Sequence, residues 1–310
     1  MRNAYIRALS NLAEADDRIL ALVADNGAIV FDDFRSRYPG RFFNFGISEA
    51  NMVSVAAGLA ACGKVPFAYT ISNFLSMRAF EQIRNGVCLQ QMNVKLVGIG
   101  VGFVYSNLGP THHAVEDVAL MRALPGMTIF SPADPIESAA ATAKAAEIDG
   151  PVYLRLATGG TPALFDDDYE FALGKAVTLL GGTDITVIST GNIVGDVLQT
   201  CKALKDKGLG VRLLHCPTLK PIDREAILSA SAETKGIVVV EEHTIEGGLG
   251  SIVSEVVAGH AGPRVPIKLV GLNNSFPVGY GTYQEMKEQN GLGQERISSE
   301  ILSLWEAHNG

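Results

Sequence analysis

Short β-rich apolar runs alternate with segments of helical pattern along this chain, and this alternation constrains its fold more than any other feature. In the first half the predicted strands are AIVFD (28–32), VPFAY (65–69), VKLVGIG (94–100), MTIFS (127–131) and VYLRL (152–156). The predicted helices cover 48–62, 76–89, 115–124 and 135–147. Strands that alternate with helices form βαβ units, so we expect a mostly parallel sheet flanked by helices.

A change in composition divides the chain in two. The stretch TGGTPALFDDDYE (158–170) combines glycine, proline and an acidic run, which is typical of a linker. A second alternation follows it: DITVIST (184–190), GDVLQTCKALKDKG (195–208), VRLLH (211–215), GIVVVEE (236–242), GLGSIVSEVVAG (248–259) and PIKLVGL (266–272). The sequence therefore predicts an α/β fold of two domains, residues 1–160 and 176–310, joined by a linker at 161–175, each with a mostly parallel sheet flanked by helices.

Composition excludes several classes of function. The 310 residues carry a net charge of −8, which argues against nucleic acid, since phosphate binding requires a basic surface. No stretch reaches the roughly 18 apolar residues needed to span a bilayer. Residues 1–20 have apolar side chains at helical spacing with charges between them, unlike a signal peptide. The four cysteines have neither disulfide nor zinc-site spacing, so we expect a cytoplasmic protein with reduced thiols.

Glu49 stands immediately before an almost entirely apolar stretch, residues 52–62. One interpretation is structural: Ser48 caps a helix, and an acid in its first turn complements the helix dipole. The other is functional: a carboxyl group in an apolar niche has a raised pKa and can share a proton with a ligand nitrogen. The residues alone leave both open.

Two histidines follow a glycine-proline turn in SNLGPTHHAVED (106–117). His112 and His113 fall at a predicted junction between loop and helix, where functional sites often form. Surface or capping histidines are the structural alternative.

Large apolar residues recur every three positions in YTISNFLSMRAFEQIRNG (69–86), which places Phe74, Met77 and Phe80 on one helical face. The stripe fits a buried core face, or a wall against a flat ring. A glycine cluster in EEHTIEGGLGSIVSEVV (241–257) fits a tight turn better than a nucleotide site, because it has no G-x-G-x-x-G pattern.

Five segments, in this order and at this spacing, resemble the transketolase family of thiamine-diphosphate enzymes. They are ADN (24–26), NFGISEANMVSVAAGLA (44–60), NFLSMRAFEQIRN (73–85), GPTHHAVEDVALMRALPGMTIFSPAD (109–134) and VVVEEHTIEGGLGSIVSEV (238–256). The resemblance covers essentially the whole chain. It implies a pyrimidine-binding domain at 1–160, followed by a transketolase C-terminal-like domain at 176–310.

The resemblance also implies a partner. Thiamine-diphosphate enzymes hold the diphosphate and its Mg²⁺, or another divalent cation, on a further domain with a Gly-Asp-Gly motif, and no Gly-Asp-Gly occurs in this sequence. The chain therefore resembles the C-terminal subunit of a split transketolase. We expect an N-terminal subunit that carries the metal, in an assembly of α2β2 type, and no metal ligands in this chain.

Site residues carried over from the family follow its motifs. Glu49 corresponds to the glutamate that hydrogen-bonds N1′ of the aminopyrimidine, and His112 to the histidine that contacts the donor ketose during transfer of a two-carbon ketol unit. The other residues that the resemblance places at the cofactor are Asp25, Phe74, Met77 and Phe80. The further residues predicted at the sugar substrate are Arg2, which aligns with a phosphate-binding arginine of the family, His113, and Arg155 as a substitute for a second family arginine.

Departures from the family pattern fall in the substrate pocket. Leu108 stands where many transketolases have an acid that binds a substrate hydroxyl. Thr158 stands where an arginine binds the sugar phosphate, and Gly100 where a further histidine is found. We therefore expect a ketose other than xylulose 5-phosphate, such as a deoxy, branched or sulfonated sugar.

Three alternatives stay open at this point. A 1-deoxyxylulose-5-phosphate synthase also has a G-P-T-H turn. The β subunit of a 2-oxo acid dehydrogenase shares the glutamate but generally lacks G-P-T-H-H. A non-catalytic paralogue would be favoured by loss of Glu49 or His112, and both are present.

Overall fold

The computed structural model describes residues 1–308, apart from the side chain of Ala28. Its strands are β1 (Ile19–Val23), β2 (Phe42–Asn44), β3 (Val65–Ile71), β4 (Lys95–Ile99), β5 (Thr128–Phe130), β6 (Val152–Leu156), β7 (Val177–Leu180), β8 (Ile185–Ser189), β9 (Val211–His215), β10 (Thr218–Lys220), β11 (Ile237–Thr244) and β12 (Ile267–Leu272). Within the described range, no helix is long and apolar enough to cross a membrane.

The helices alternate with these strands. They are α1 (Arg2–Ala15), α2 (Asp32–Arg37), α3 (Glu49–Ala61), α4 (Ser72–Arg78), α5 (Phe80–Gln82), α6 (Asp117–Arg122), α7 (Pro135–Glu147), α8 (Val194–Asp206), α9 (Arg224–Glu233), α10 (Leu249–Ala258), α11 (Tyr283–Gln289) and α12 (Gln294–Glu306). Shorter 3₁₀ segments lie at Ala28–Phe31, Pro39–Arg41 and Gly191–Ile193, and a π-helical turn at Ile83–Cys88.

The strands of residues 1–308 form two sheets. The first has the order β10-β5-β6-β4-β3-β1-β2, in which all pairs are parallel except β10 with β5. The second has the order β12-β11-β8-β9-β7, in which only β7 with β9 is antiparallel. This arrangement confirms the predicted fold class, two α/β units with mostly parallel sheets.

The central strands of the first sheet are buried on both faces, as parallel strands require. In β1, Leu20 and Leu22 pack into a core shared with α3 and α4, whereas Ala21 and Val23 pack into a second core shared with α1 and α7. Successive side chains point to opposite faces of a strand, so helices must cover both sides. The strand consequently appears in the sequence as a continuous apolar run without alternation.

Several predicted boundaries are wrong. Residues 28–32 are no strand, since Ala28–Phe31 is a 3₁₀ turn that follows Gly27 in the left-handed region at φ 66°. The strand lies earlier, at β1, and begins at Ile19, near the end of the N-terminal helical pattern of residues 1–20. The helix predicted at 76–89 begins at Ser72 and is interrupted at Ala79 before the π-helical turn.

Strand β10 connects the two halves, because it follows the linker in sequence but pairs with β5 in the first sheet. Lys220, at the end of β10, donates hydrogen bonds to the carbonyl oxygens of Arg122 and Leu124 at 2.9 and 2.6 Å. The Arg122 carbonyl belongs to the last turn of helix α6, which has no intrahelical donors for it, and the Leu124 carbonyl lies just beyond the helix. The domain boundaries at 161–175 stay a prediction, since a strand beyond them belongs to the first sheet.

Replacing Lys220 by methionine should lower the free energy of unfolding by about 1–3 kcal/mol, since two partly buried carbonyls lose their donor. Urea denaturation followed by circular dichroism measures the change. Lys202→Met is the matched control, because Lys202 is exposed on helix α8. Equal stability of the two variants would contradict a bridging role for Lys220.

Candidate functional site

The carboxyl ends of four adjacent parallel strands gather the predicted site residues. Asp25 follows β1, Glu49 follows β2, Phe74 follows β3 and His112 follows β4. The order β4-β3-β1-β2 makes these strands neighbours, so the segments after them meet at one edge of the sheet. This edge is where open α/β sheets bind their ligands.

Glu49 is a buried carboxylate with unused acceptor capacity. It occupies the first turn of α3 after Ser48, and its side chain is 4% exposed. Arg78 donates to both carboxylate oxygens at 3.4 Å, which is a long hydrogen bond. Among the described residues no other group bonds this carboxylate, whose two oxygens can accept about four hydrogen bonds.

A chain of contacts joins Glu49 to His112. The Arg78 guanidinium lies over the Phe74 ring, 3.9 Å from its centroid. The Phe74 ring meets the His112 ring edge to face at a centroid distance of 5.1 Å. A carboxylate, a cation, an aromatic face and an imidazole therefore line one continuous surface.

The orientation of His112 is set by the turn that carries it. The backbone N–H of His112 donates to the Gly109 carbonyl oxygen at 3.0 Å. The Thr111 hydroxyl lies 3.0 Å from Nδ1 of His112, and the Asn73 side-chain amide donates to the Thr111 carbonyl oxygen at 2.8 Å. Within the turn, the Thr111 hydroxyl contacts Nδ1 of the His112 ring. The other ring nitrogen, Nε2, makes no hydrogen bond within the turn.

Asp25 and Asn44 form a small polar cluster at the same edge. Asp25 has φ 61°, and its backbone N–H donates to the Asn44 side-chain oxygen at 3.0 Å. The Asn44 amide donates back to the Asp25 carboxylate at 3.3 Å. The sequence analysis did not identify Asn44 and Arg78 as site residues, although both lie in segments that carry the family resemblance. Their spacing does not distinguish them from polar residues at the surface.

Met77 and Phe80 take different positions on the same segment. Met77 is 42% exposed, whereas Phe80 is partly buried against the core beneath α3. The break at Ala79 separates them, so the stripe predicted for one continuous helix is divided into an open part and a packed part.

Tyr105 occupies the space that a side chain at position 100 would fill. Gly100 has φ 79°, and a Cβ atom there would overlap the Tyr105 ring. The ring lies 6.4 Å from that of His112. Burial raises the pKa of Tyr105, and the hydrogen bond with Asn26 and the charge of Arg2 oppose the rise.

His113 faces the protein interior. It is 1% exposed, and its ring meets Phe103 edge to face at 5.7 Å. Burial lowers its pKa, so the ring is neutral at pH 7. The adjacent histidines therefore point to different environments, and only His112 is part of the surface that contains Glu49 and Phe74.

Arg155 is committed to the interior, which argues against the predicted contact with a sugar phosphate. Its side chain is 3% exposed, and Nε donates to the Asp117 carboxylate at 2.9 Å. One terminal nitrogen donates to the carbonyl oxygens of Ala114 and Glu242 at 3.2 and 3.0 Å. The Tyr153 hydroxyl also donates to Asp117, at 2.7 Å. A buried ion pair with these partners is not free to bind a ligand.

Replacing Arg155 by methionine should lower the free energy of unfolding by about 3–5 kcal/mol, because Asp117 would be left as an uncompensated buried charge. The double variant Arg155→Met/Asp117→Asn should recover part of the loss. Chemical denaturation measures both. Arg18→Met, which removes an exposed pair with Asp16, serves as the control, and a loss no greater than that of the control would contradict the assignment.

The segment Glu241-Glu242-His243 on strand β11 brings three titratable groups into the interior, and no pattern in the sequence indicates this. Glu241 accepts the backbone N–H groups of Leu249 and Gly250 at 2.7 and 2.8 Å, at the start of α10. Burial raises its pKa to about 7. His243 donates from Nδ1 to the carbonyl of the next residue at 2.7 Å, which is the neutral tautomer with Nε2 as acceptor.

Burial also lowers the pKa of His243 from 6.5 to about 4, although the Asp117 carboxylate opposes the change. The unfolded chain therefore binds more protons than the folded protein between these pH values, so acidification lowers stability. The contribution of this ring to the free energy of unfolding should be fully present above pH 6.5. It should decrease by about 3 kcal/mol as the pH falls towards 4.

Replacing His243 by glutamine should remove that contribution. The free energy of unfolding of the unchanged protein should fall relative to that of His243→Gln as the pH is lowered from 7 to 4, measured by urea denaturation at each pH. His260→Gln, at an exposed position, is the control. Parallel pH profiles for the unchanged protein and His243→Gln would refute a neutral buried ring.

Both halves of the chain match known family domains. Residues 1–162 match the family described as transketolase, pyrimidine binding domain, and residues 174–297 match transketolase, C-terminal domain. The fold is also close to a solved structure titled "Split gene transketolase, inactive beta4 tetramer", with a TM-score of 0.91, 39% identity and 99% of each chain covered.

Curated relatives have similar lengths. The chain is 39% identical to the 6-deoxy-6-sulfo-D-fructose transketolase subunit SqwH of Clostridium sp. (strain MSTE9), over 100% of this chain and 95% of the relative. It is 36% identical to an apulose-4-phosphate transketolase subunit of Phocaeicola vulgatus, over 98% of this chain and 96% of the relative.

Proposed function

The chain belongs to the transketolase family, and we propose that it is the subunit of a split, thiamine-diphosphate-dependent transketolase that supplies the pyrimidine-binding and C-terminal domains. In this proposal the complete enzyme transfers a two-carbon ketol unit from a ketose to an aldose in the cytoplasm. The observation that carries the proposal is the buried Glu49 carboxylate, with spare acceptor capacity, on one surface with Phe74 and His112.

The residues around Glu49 fit the aminopyrimidine ring of thiamine diphosphate. A carboxylate that is 4% exposed and bonded only weakly offers an acceptor for a ring N–H. Phe74 offers an aromatic face, and the exposed Met77 a polarisable thioether, for packing against a flat heterocycle. When bound, the cofactor supplies the nucleophilic carbon that takes up the ketol unit. Asp25 is exposed at the same edge, whereas Phe80, which is also in the predicted cofactor set, packs against the core beneath α3.

Glu49 would hold a proton at N1′ of the aminopyrimidine. A hydrogen bond between a carboxyl group and a ring nitrogen is stronger in a poorly hydrated niche than in water, because the effective dielectric constant is lower. Arg78 lies beside the carboxylate, where it would keep a cation close to the proton-sharing pair.

His112 would bind a hydroxyl group of the donor sugar and move its proton while the carbon–carbon bond breaks. An imidazole suits this role because its ordinary pKa lies near neutrality. The Thr111 contact at Nδ1 fixes the ring and leaves Nε2 for the sugar.

The diphosphate and Mg²⁺ would be held by a partner subunit, as the lack of a Gly-Asp-Gly motif in this chain suggests. Large apolar side chains are exposed beside the site, which supports a protein–protein contact there: Phe43, Ile47, Met77 and Leu108. Two relatives of nearly equal length are also named as transketolase subunits. We propose an assembly of α2β2 type.

The donor is proposed to be an anionic ketose other than xylulose 5-phosphate. Leu108, Thr158 and Gly100 depart from the family pattern, and Tyr105 fills the space beside Gly100. Arg2 is the remaining predicted cation for anion recognition, since the other predicted arginine, Arg155, is engaged in the interior. The names of the relatives, which refer to 6-deoxy-6-sulfo-D-fructose and to apulose 4-phosphate, support an anionic donor of this class.

A donor screen tests the function. The chain is co-expressed with its candidate partner, supplied with thiamine diphosphate and Mg²⁺, and aldehyde release is followed from phosphorylated, deoxy, branched and sulfonated ketoses. Release that requires both subunits supports the proposal. Decarboxylation of pyruvate without release from any ketose would assign the chain to the 2-oxo acid branch, and xylulose 5-phosphate as best donor would overturn the proposed specificity.

Replacing Glu49 by glutamine should lower kcat of the complete enzyme by at least about a hundredfold, since the amide cannot share the proton at N1′. Steady-state kinetics on the best donor measures the change. Glu81→Gln, at an exposed position on the adjacent α5, is the matched control and should retain full activity. An active Glu49→Gln enzyme would exclude the proposed role.

A further inference from the structure

We propose that the C-terminal half of the chain holds His112 in position. It does so through two positioning residues, Glu242 and Tyr280, which contact residues 100–116, here named the His112 loop. The inference rests on the proposed function, because it assigns a task to the C-terminal half in that reaction. Three separate contacts support it, at the beginning, the end and the middle of the loop.

Glu242 holds the beginning of the loop. One carboxylate oxygen accepts the backbone N–H of Phe103, and the other accepts the Tyr283 hydroxyl at 2.6 Å and the Asn192 amide at 3.0 Å. Burial raises the pKa of Glu242, and the Phe103 N–H and the Tyr283 hydroxyl oppose the rise. A buried carboxylate with donors on both oxygens is a rigid support, because each lost bond would leave a polar group unsatisfied.

Strand β11 holds the end of the loop. The Thr244 N–H donates to the Val115 carbonyl oxygen at 2.7 Å. Gly102 and Ala114 exchange backbone hydrogen bonds at 2.8 and 3.2 Å, which ties the two ends together. The anchor side chains at both ends, Phe103 and Val115, are buried in the core of the C-terminal half.

Tyr280 covers the middle of the loop. Gly109 has φ 76°, and a Cβ atom there would collide with the edge of the Tyr280 ring, so the ring lies against the glycine backbone. Gly109 accepts the backbone hydrogen bond from His112 that closes the turn. Tyr280 itself is 68% exposed, so truncating it should spare the core.

The arrangement explains how the His112 loop can present His112 reproducibly. Within residues 100–116 the ends are fixed by buried groups and the turn is covered by one ring, so His112 has little freedom to shift. A displacement of about 1 Å of a positioned group can cost about a hundredfold in rate. Support from the C-terminal half would therefore affect sugar chemistry but not cofactor binding at Glu49.

Amide hydrogen exchange on the full-length chain tests the support without reference to activity. Glu242→Gln and Tyr280→Ala should each increase exchange of peptides from the His112 loop by about tenfold or more, because the carboxylate and ring contacts restrain local opening. Phe276→Ala is the matched control, since Phe276 is exposed in the same segment as Tyr280. Tyr280→Phe keeps the ring and should exchange like the unchanged protein.

Kinetics of the complete enzyme with its partner gives the second measurement. Tyr280→Ala and Glu242→Gln should lower kcat/KM for the donor by about tenfold or more, while the Kd of thiamine diphosphate stays unchanged. Tyr280→Phe and Phe276→Ala should retain full activity. A loss that appears equally in cofactor affinity would indicate general destabilisation and overturn the proposal.

The two measurements separate the proposal from the function on which it rests. If the unchanged enzyme has no transketolase activity, the proposed function fails, and the exchange data still decide whether the C-terminal half restrains the loop. If Glu242→Gln does not fold, Tyr280→Ala decides alone. Exchange and kcat/KM in Tyr280→Ala equal to those of Phe276→Ala would refute the proposal.

Discussion

The buried ion pair between Arg155 and Asp117 connects the first sheet, the His112 loop and strand β11. It joins strand β6 to the start of helix α6, and the same guanidinium reaches carbonyl oxygens at Ala114 and Glu242. Because an unpaired charge in the interior is costly, these groups are stable only together. The first sheet, the His112 loop and strand β11 are thereby held in one arrangement.

The candidate site combines two kinds of contribution. The carboxyl ends of neighbouring parallel strands supply Glu49, Phe74 and His112, so the groups proposed to act on cofactor and sugar come from the first half. The second half contributes β10 to the first sheet and Glu242 and Tyr280 to the His112 loop. Both halves therefore determine the geometry of the site, although all of its proposed reacting groups belong to the first half.

Much of the fold can be predicted from the sequence because buried parallel strands and capped helices leave local patterns. Strands β3 to β6 and helices α3 and α7 fall where apolar runs and helical spacing place them. The prediction fails at 28–32, where β-branched residues form a 3₁₀ turn, and at β10, which has only three residues. Strand formation there is decided by the neighbouring strands rather than by propensity.

The fold class, the family and the candidate residues Glu49, Phe74 and His112 could be predicted from the sequence, because they depend on local patterns and on motifs of contiguous residues. The folded structure was needed to find that Arg155 lies in the interior, that His113 is buried away from the surface containing His112, and that Arg78 lies beside Glu49. The physical reason is that burial and pairing depend on residues far apart in the chain. The Arg155 guanidinium is bound by Asp117 and Glu242, which are 38 and 87 positions away.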